Sequence, residues 1–191
     1  MIYRLTTPLD ESSARKLRIG DIVYLTGTIV TMRDQGHIRA LKFIRERKPL
    51  PKNIFQGVIY HCGPVARKTG GSWHVLSCGP TTSMRMERYE PELIEEYSLR
   101  MVIGKGGMGV KTSEALKKIG SVYASFTGGA GVLASVKIKE VDDVYWLDLG
   151  IPEALWFLKV EDFGPLIVTM DAHGGDIHRE VREKSSKLLR G

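Results

Sequence analysis

The chain has 191 residues, 42% of them apolar and 26% charged, with a formal charge of +6 and a pI near 9.3. That balance suits a soluble globular domain and excludes a disordered polyelectrolyte, and no apolar run approaches the length of a membrane span. Two cysteines, Cys62 and Cys78, are too few for a disulfide framework and too few for the three or four thiolates that normally hold an iron–sulfur cluster, so any cluster the protein uses sits mainly on another chain.

The N-terminus MIYRLTTPLDESS lacks the apolar core of a secretory signal, which places the protein in the cytoplasm. IGDIVYLTGTIVTM (19–32) is rich in β-branched and aromatic residues and predicts β structure, with Gly27 as a bulge or a turn between strands. TMRDQGHIR (31–39) reads as a loop after that section, and RKPLPKN (47–53) as a second loop by its prolines. QGVIYHCG and SWHVLSCG, from 56 and 72, predict two short strands. Pro91 with Glu92, Glu95 and Glu96 marks a helix start with acid in its first turns.

MVIG (101–104) predicts a short buried strand. Thr112 or Ser113 is the expected cap of the helix continuing as EALKKIG, which Gly120 ends. SVYASF is another strand; AGVLASVKIKEV and EALWFLKV fit helix or strand; LIVTMDA is a strand. In the tail IHREVREKSSKLL, Ile177, Val181, Leu188 and Leu189 share one helical face. The composition is even throughout, so the expectation is one domain over 1–191, of mixed α/β class with a mainly β N-terminal section.

The positive charge has three readings: nucleic-acid binding, a basic C-terminal helix, or a pocket for a small anion. The densest basic cluster, KFIRERKPLPK (42–52), contains two prolines and the cations form no long run, which counts against nucleic acid. Three loops favour the anion pocket: 31–39, GPTTSMR (79–85) and GKGGMG (104–109). Each sets a cation, Arg33, Arg85 or Lys105, beside glycine or hydroxyls. Arginine forks onto a carboxylate, lysine adds a point charge, and glycine lets main-chain N–H groups approach an anion. If the loops converge, they suit a small molecule with more than one carboxylate.

Two other motifs fall short. GKGGMGVKT has Val110 between the glycine and Lys111, where a phosphate-binding P-loop has none. DAHGGDIH offers Asp171, His173, Asp176 and His178, at no strong zinc spacing, and reads as a polar turn with Asp176 capping the last helix. His61 and His74 lie in apolar strands and are expected in the core or at a partner.

RDQGH (33–37), Tyr60-His61-Cys62-Gly63-Pro64, GPTTSMRM (79–86), IGKGGM (103–108) and VEDFGPLIVTMDAHG (160–174) together resemble the class I, iron–sulfur-dependent fumarases, in particular the β chain of fumarase or tartrate dehydratase. The resemblance implies a swivelling β/β/α domain, a β-barrel-like section packed with helices. It implies an α subunit carrying a [4Fe–4S] cluster with one iron open to substrate, an α2β2 assembly, and an active site between α and β parts. It implies that Arg33, Arg85 and Lys105 bind substrate carboxylates and that Thr81 is the base taking a proton from carbon, Lys105 also serving the chemistry. Asp34, His37, Thr82, Gly104 and Gly106 are implied in support. The reaction implied is reversible hydration of fumarate to (S)-malate; the alternatives are a tartrate dehydratase β subunit and a non-catalytic module binding anions or nucleic acid.

Overall fold

A computed structural model describes residues 1–189. The strands are β1 (Ile2–Thr6), β2 (Ile22–Thr31), β3 (Val58–Tyr60), β4 (Val65–Thr69), β5 (Ser72–Ser77), β6 (Met101–Gly104), β7 (Val122–Ser125), β8 (Ile138–Tyr145) and β9 (Leu155–Met170). The helices are α1 (Glu11–Lys16), α2 (Asp34–Arg45), α3 (Glu90–Tyr97), α4 (Val110–Ile119), α5 (Gly131–Ser135) and α6 (Ile177–Leu188). The class is mixed α/β, as the sequence predicts.

The main sheet runs β1-β2-β3-β6-β7-β9-β8, and a further pairing of β9 with β2 closes five strands into a barrel. β2, β3, β6 and β7 are mutually parallel, and β9 runs antiparallel to both β2 and β7. The two long strands each change neighbour midway. β2 pairs with β1 over Ile22–Thr26 and with β3 at Val30 and Thr31. β9 pairs with β8 from Leu155 to Val160 and with β7 from Ile167 to Met170. β4 and β5 form a separate hairpin.

Strand alternation divides the core into two layers. Val58, Tyr60, Met101, Ile103, Val122 and Ala124 face the barrel interior. Ile59, Val102 and Tyr123 face outward, against Leu41 of α2, Leu93 and Ile94 of α3 and Leu116 of α4. The outer layer therefore ties three helices to one side of the barrel.

Several expectations change in the structure. Gly27 is a bulge inside one strand, at φ 116° with register shifts around it, and not a turn. EALWFLKV and LIVTMDA merge into the 16-residue β9. AGVLASVKIKEV holds both a short helix and a strand, α5 and the start of β8. Residues 34–39, expected in a loop, form the first turns of α2. No residue inside that helix caps it; the main-chain N–H of Gln35 donates to Glu153 Oε2 (2.9 Å), 118 positions away. α4 starts earlier than expected, with Gly109 as N-cap. Neither Thr112 nor Ser113 is the cap, because Glu87 reaches across to accept from the N–H groups of Gly109 (2.7 Å) and Thr112 (3.2 Å). α6 forms as expected, with Asp176 accepting from the N–H of Arg179, yet none of its residues is buried. No helix among the described residues is long and apolar enough to cross a membrane.

Candidate active site at the carboxyl ends of the parallel strands

The three cationic loops meet because the strands before them are neighbours. β2, β3 and β6 lie side by side and parallel, so the segments leaving their carboxyl ends emerge on one rim of the barrel. Arg33 and α2 follow β2, His61-Cys62-Gly63 follows β3, and Lys105 follows β6. Loop 79–85 returns from the β4–β5 hairpin and is stitched between the others. The N–H of Thr81 donates to the carbonyl of His61 (2.6 Å), that of Lys105 to Thr81 (3.3 Å) and that of Ser83 to Lys105 (3.1 Å). Bridge pairings join Cys62 to Pro80 and Thr82 to Lys105.

Arg33, Asp34, Thr81, Thr82, Arg85 and Lys105 thus share one rim. Arg85 forks onto Asp34, with Nε 3.1 Å from Oδ1 and Nη2 2.5 Å from Oδ2. The pair is half-open to water: the Arg85 side chain is 50% exposed. Arg33 is more enclosed. Its Nη2 lies 3.4 Å from Glu153 Oε1, and its Nε is buried with no partner. Lys105 is exposed, and its ammonium makes no ion pair among the described residues. Thr81 is half-buried, its main chain bonded on both sides.

Two glycines allow this approach. A Cβ on Gly63 would lie 2.4 Å from Arg33 Nη1 and 2.8 Å from the Pro152 carbonyl. One on Gly104 would lie 1.8 Å from Ser83 Oγ. Gly106 takes φ 73° in the turn after Lys105.

Under the rim lies a polar network; the sequence reading names His37 in support and expects His61 in the core, but misses Glu90, which joins them. His37, in the first turn of α2, meets Glu90 Oε2 through Nε2 (2.6 Å) and the Arg33 carbonyl through Nδ1 (2.7 Å). His61 meets the same Glu90 oxygen through Nε2 (2.8 Å) and Ser83 Oγ through Nδ1 (2.9 Å). The Tyr123 hydroxyl donates to Ser83 Oγ (2.8 Å). The side chains of His37, His61 and Glu90 have no exposed surface. Burial alone would raise the Glu90 carboxyl, but the two imidazoles against it hold it down to about 2. Burial pushes His61 below the usual histidine range, opposed by Glu90. Tyr123 is pushed up by burial. One sequence signal points here: alternation along β3 turns His61 to the helix side with Ile59.

The remaining polar groups settle as local structure. Asp171 accepts from the N–H groups of Ile19, His173 and Gly175, so DAHGGDIH is the expected turn. His61 is in the core, and His74 is exposed. Glu87 fills the start of α4, where a P-loop would hold phosphate. Cys62 and Cys78, both free, sit 3.1 Å apart inside the barrel, and burial pushes the Cys62 thiol up. Two enclosed thiols facing each other do not fit the ligand set of an iron–sulfur cluster.

Fold and rim together define a five-stranded barrel domain whose cations and hydroxyls collect at the carboxyl ends of parallel strands, open to one side. The chain belongs to the fumarase C-terminus family, whose model matches residues 3–181. It is 44% identical over 179 residues to the L(+)-tartrate dehydratase subunit beta of Escherichia coli (strain K12), covering 94% of this chain and 88% of the relative. It is 42% identical over 189 residues to the "Putative fumarate hydratase class I" of Geobacillus stearothermophilus, covering 98% of this chain and 36% of that longer protein.

Proposed function

We propose that this chain is the β subunit of a two-chain cytoplasmic hydro-lyase, the α partner carrying a [4Fe–4S] cluster, and that it works on a C4 dicarboxylate in an α2β2 assembly. The reaction is the reversible addition of water to fumarate, giving (S)-malate. What supports this reading is the meeting of Arg33, Thr81, Arg85 and Lys105 on one open rim, in a chain of this family. The enclosed cysteine pair supports assigning the cluster to the partner.

In this reading Arg85 and Lys105 hold the substrate carboxylates, and Arg33 adds charge from the side. In the dehydration direction a proton leaves the carbon next to one carboxylate, and negative charge builds on that carboxylate. The fixed cations stabilise that charge more than the ground state, which is what lowers the barrier. Thr81 takes the proton, and Lys105, whose main-chain N–H bonds the Thr81 carbonyl, supplies the positive charge its alkoxide needs. Asp34 keeps the Arg85 fork oriented through Nε and Nη2, and the side chain is half exposed, open to a ligand.

The test is co-expression with an α chain, followed by assay of the purified complex with fumarate, (S)-malate and L(+)-tartrate. Fumarate turnover that the β chain lacks alone is the expected result. A cluster-loaded complex turning over no dicarboxylate sinks the reading, and salt-sensitive RNA or DNA binding by the lone chain supports the non-catalytic alternative. Thr81→Val in the complex should cost kcat far more than KM if Thr81 is the base; a rise confined to KM makes it a ligand only. A tartrate-specific enzyme is the second reading, favoured by the name of the 44% identical relative.

A further inference from the structure

The buried network beneath the rim takes no part in the proposed reaction, yet its protons can be assigned one at a time. A carbonyl only accepts, so His37 Nδ1 carries the proton shared with Arg33. The Tyr123 hydroxyl gives its proton to Ser83 Oγ. With Ser83 Oγ donating to His61 Nδ1, the single ring proton of a neutral His61 sits on Nε2, facing Glu90 Oε2. One further proton lies between His37 Nε2 and Glu90 Oε2. Whichever atom holds it, His37 and Glu90 together are neutral.

The chain of bonds ends at a main-chain carbonyl on one side and a phenol on the other. It does not open onto the Thr81 hydroxyl and is no route for a substrate proton. What it does touch is the main chain of every rim loop. His37 grips the Arg33 carbonyl, and the carbonyl of His61 takes the Thr81 N–H. Ser83, inside the network by its side chain, bonds Lys105 by its N–H.

Both imidazoles converge on one oxygen of Glu90, at 2.6 and 2.8 Å, while Oε1 is buried without a partner. The rings meet edge to face with centroids 5.2 Å apart. Two rings on one atom fix the separation between the elements that carry them, which a pair of independent bonds would not. We propose that Glu90 is a positioning residue that sets the spacing between the Arg33 loop and the Thr81–Lys105 loops, acting through His37 and His61. Its catalytic consequence rests on the hydro-lyase reading above; its structural consequence does not.

The same three side chains could in principle ligate a metal, since their donor atoms lie within 4.8 Å of one another and each Nδ1 is bonded outward. The ring–carboxylate separations are hydrogen-bond lengths, and no exposed surface leads to them.

Glu90→Gln separates the possibilities. Glutamine keeps the volume but splits donor and acceptor between two atoms, so both rings cannot share one. Hydrogen exchange of the full-length chain, read by mass spectrometry, should rise about tenfold or more in residues 31–38 and 79–86, with β9 unchanged. In the αβ complex, kcat/KM for the dicarboxylate should fall about 10²-fold, the effect of a misplacement near 1 Å. His37→Phe is the second variant, for use if the first does not fold: of the rim loops His37 bonds only that of Arg33, yet its loss should loosen 79–86 as well. An even rise in exchange that includes β9 overturns the proposal, as does no rise, a response of His37→Phe confined to 31–38, or an unchanged kcat/KM in an active complex. So does one equivalent of zinc or iron held by the purified wild-type chain and lost in Glu90→Gln. If exchange responds as expected and the complex turns over no dicarboxylate, the hydro-lyase reading fails and the positioning role stands.

Discussion

At the rim, Asp34 grips Arg85 in the open; one layer below, Glu90 is shut away from water between two imidazoles. Both carboxylates hold a group belonging to another element. The exposed pair contributes little to stability, because water screens it and solvates either partner alone. It can therefore be broken at small cost. The buried trio cannot: an unpaired polar group there loses its bond and has no water to replace it. The rim pair is cheap to break, and the layer beneath is not.

The strongest way to break this contrast is Ser83→Ala. It strands the Tyr123 hydroxyl and His61 Nδ1 in the core, and urea unfolding should show a loss of about 2–4 kcal/mol. A loss below about 1 kcal/mol would mean the layer is no more demanding than the surface. Arg85→Ala is the opposite probe. The complex should lose about 10²-fold in kcat/KM, while the free energy of unfolding changes by less than about 1 kcal/mol. Glu87→Ala removes an acceptor shared by two N–H groups at the start of α4 and should cost about 1 kcal/mol, read by the same unfolding assay.

Acid gives a graded version of the comparison. Burial lowers His61 from 6.5 in the folded chain, so the unfolded chain binds more protons as pH falls below that value. Stability from His61 is complete above about 6.5 and declines below it. Glu90, lowered from 4.5 to about 2, adds stability above 4.5 that is lost as pH falls toward about 2. His37, Tyr123 and Asp34 face the same cluster. The unfolding midpoint should decline as pH falls below about 6.5 and again below 4.5, and Glu90→Gln should lose the second, more acidic decline. Asp34→Asn, the mildest change, should alter stability by less than about 0.5 kcal/mol and show up mainly as a modest rise in KM.

Much of this architecture is legible in the sequence where one local rule decides. The apolar runs of β3, β6 and β7 are short and buried on both sides, and Pro91, Gly120 and Asp176 mark helix ends by their own chemistry. The rim residues are legible because glycine, hydroxyl and cation recur in three loops. What stays hidden depends on contacts between distant positions. The caps of α2 and α4 come from Glu153 and Glu87, so nothing within either helix announces its start. β9 carries Gly164-Pro165 inside one continuous strand, where local rules predict a break. Glu90 reads as one more acid in an acidic helix turn, because only the tertiary fold brings α2 and β3 to it.

Glu87 has a wider consequence. A helix start beside a glycine-rich turn ordinarily attracts phosphorylated metabolites, which abound in a cell. Here the protein has installed its own anion, tethered at high effective concentration, so such molecules meet a seat already taken. The N–H groups of Gly109 and Thr112 are thereby taken up by a carboxylate of the same chain, an occupant tied to its seat.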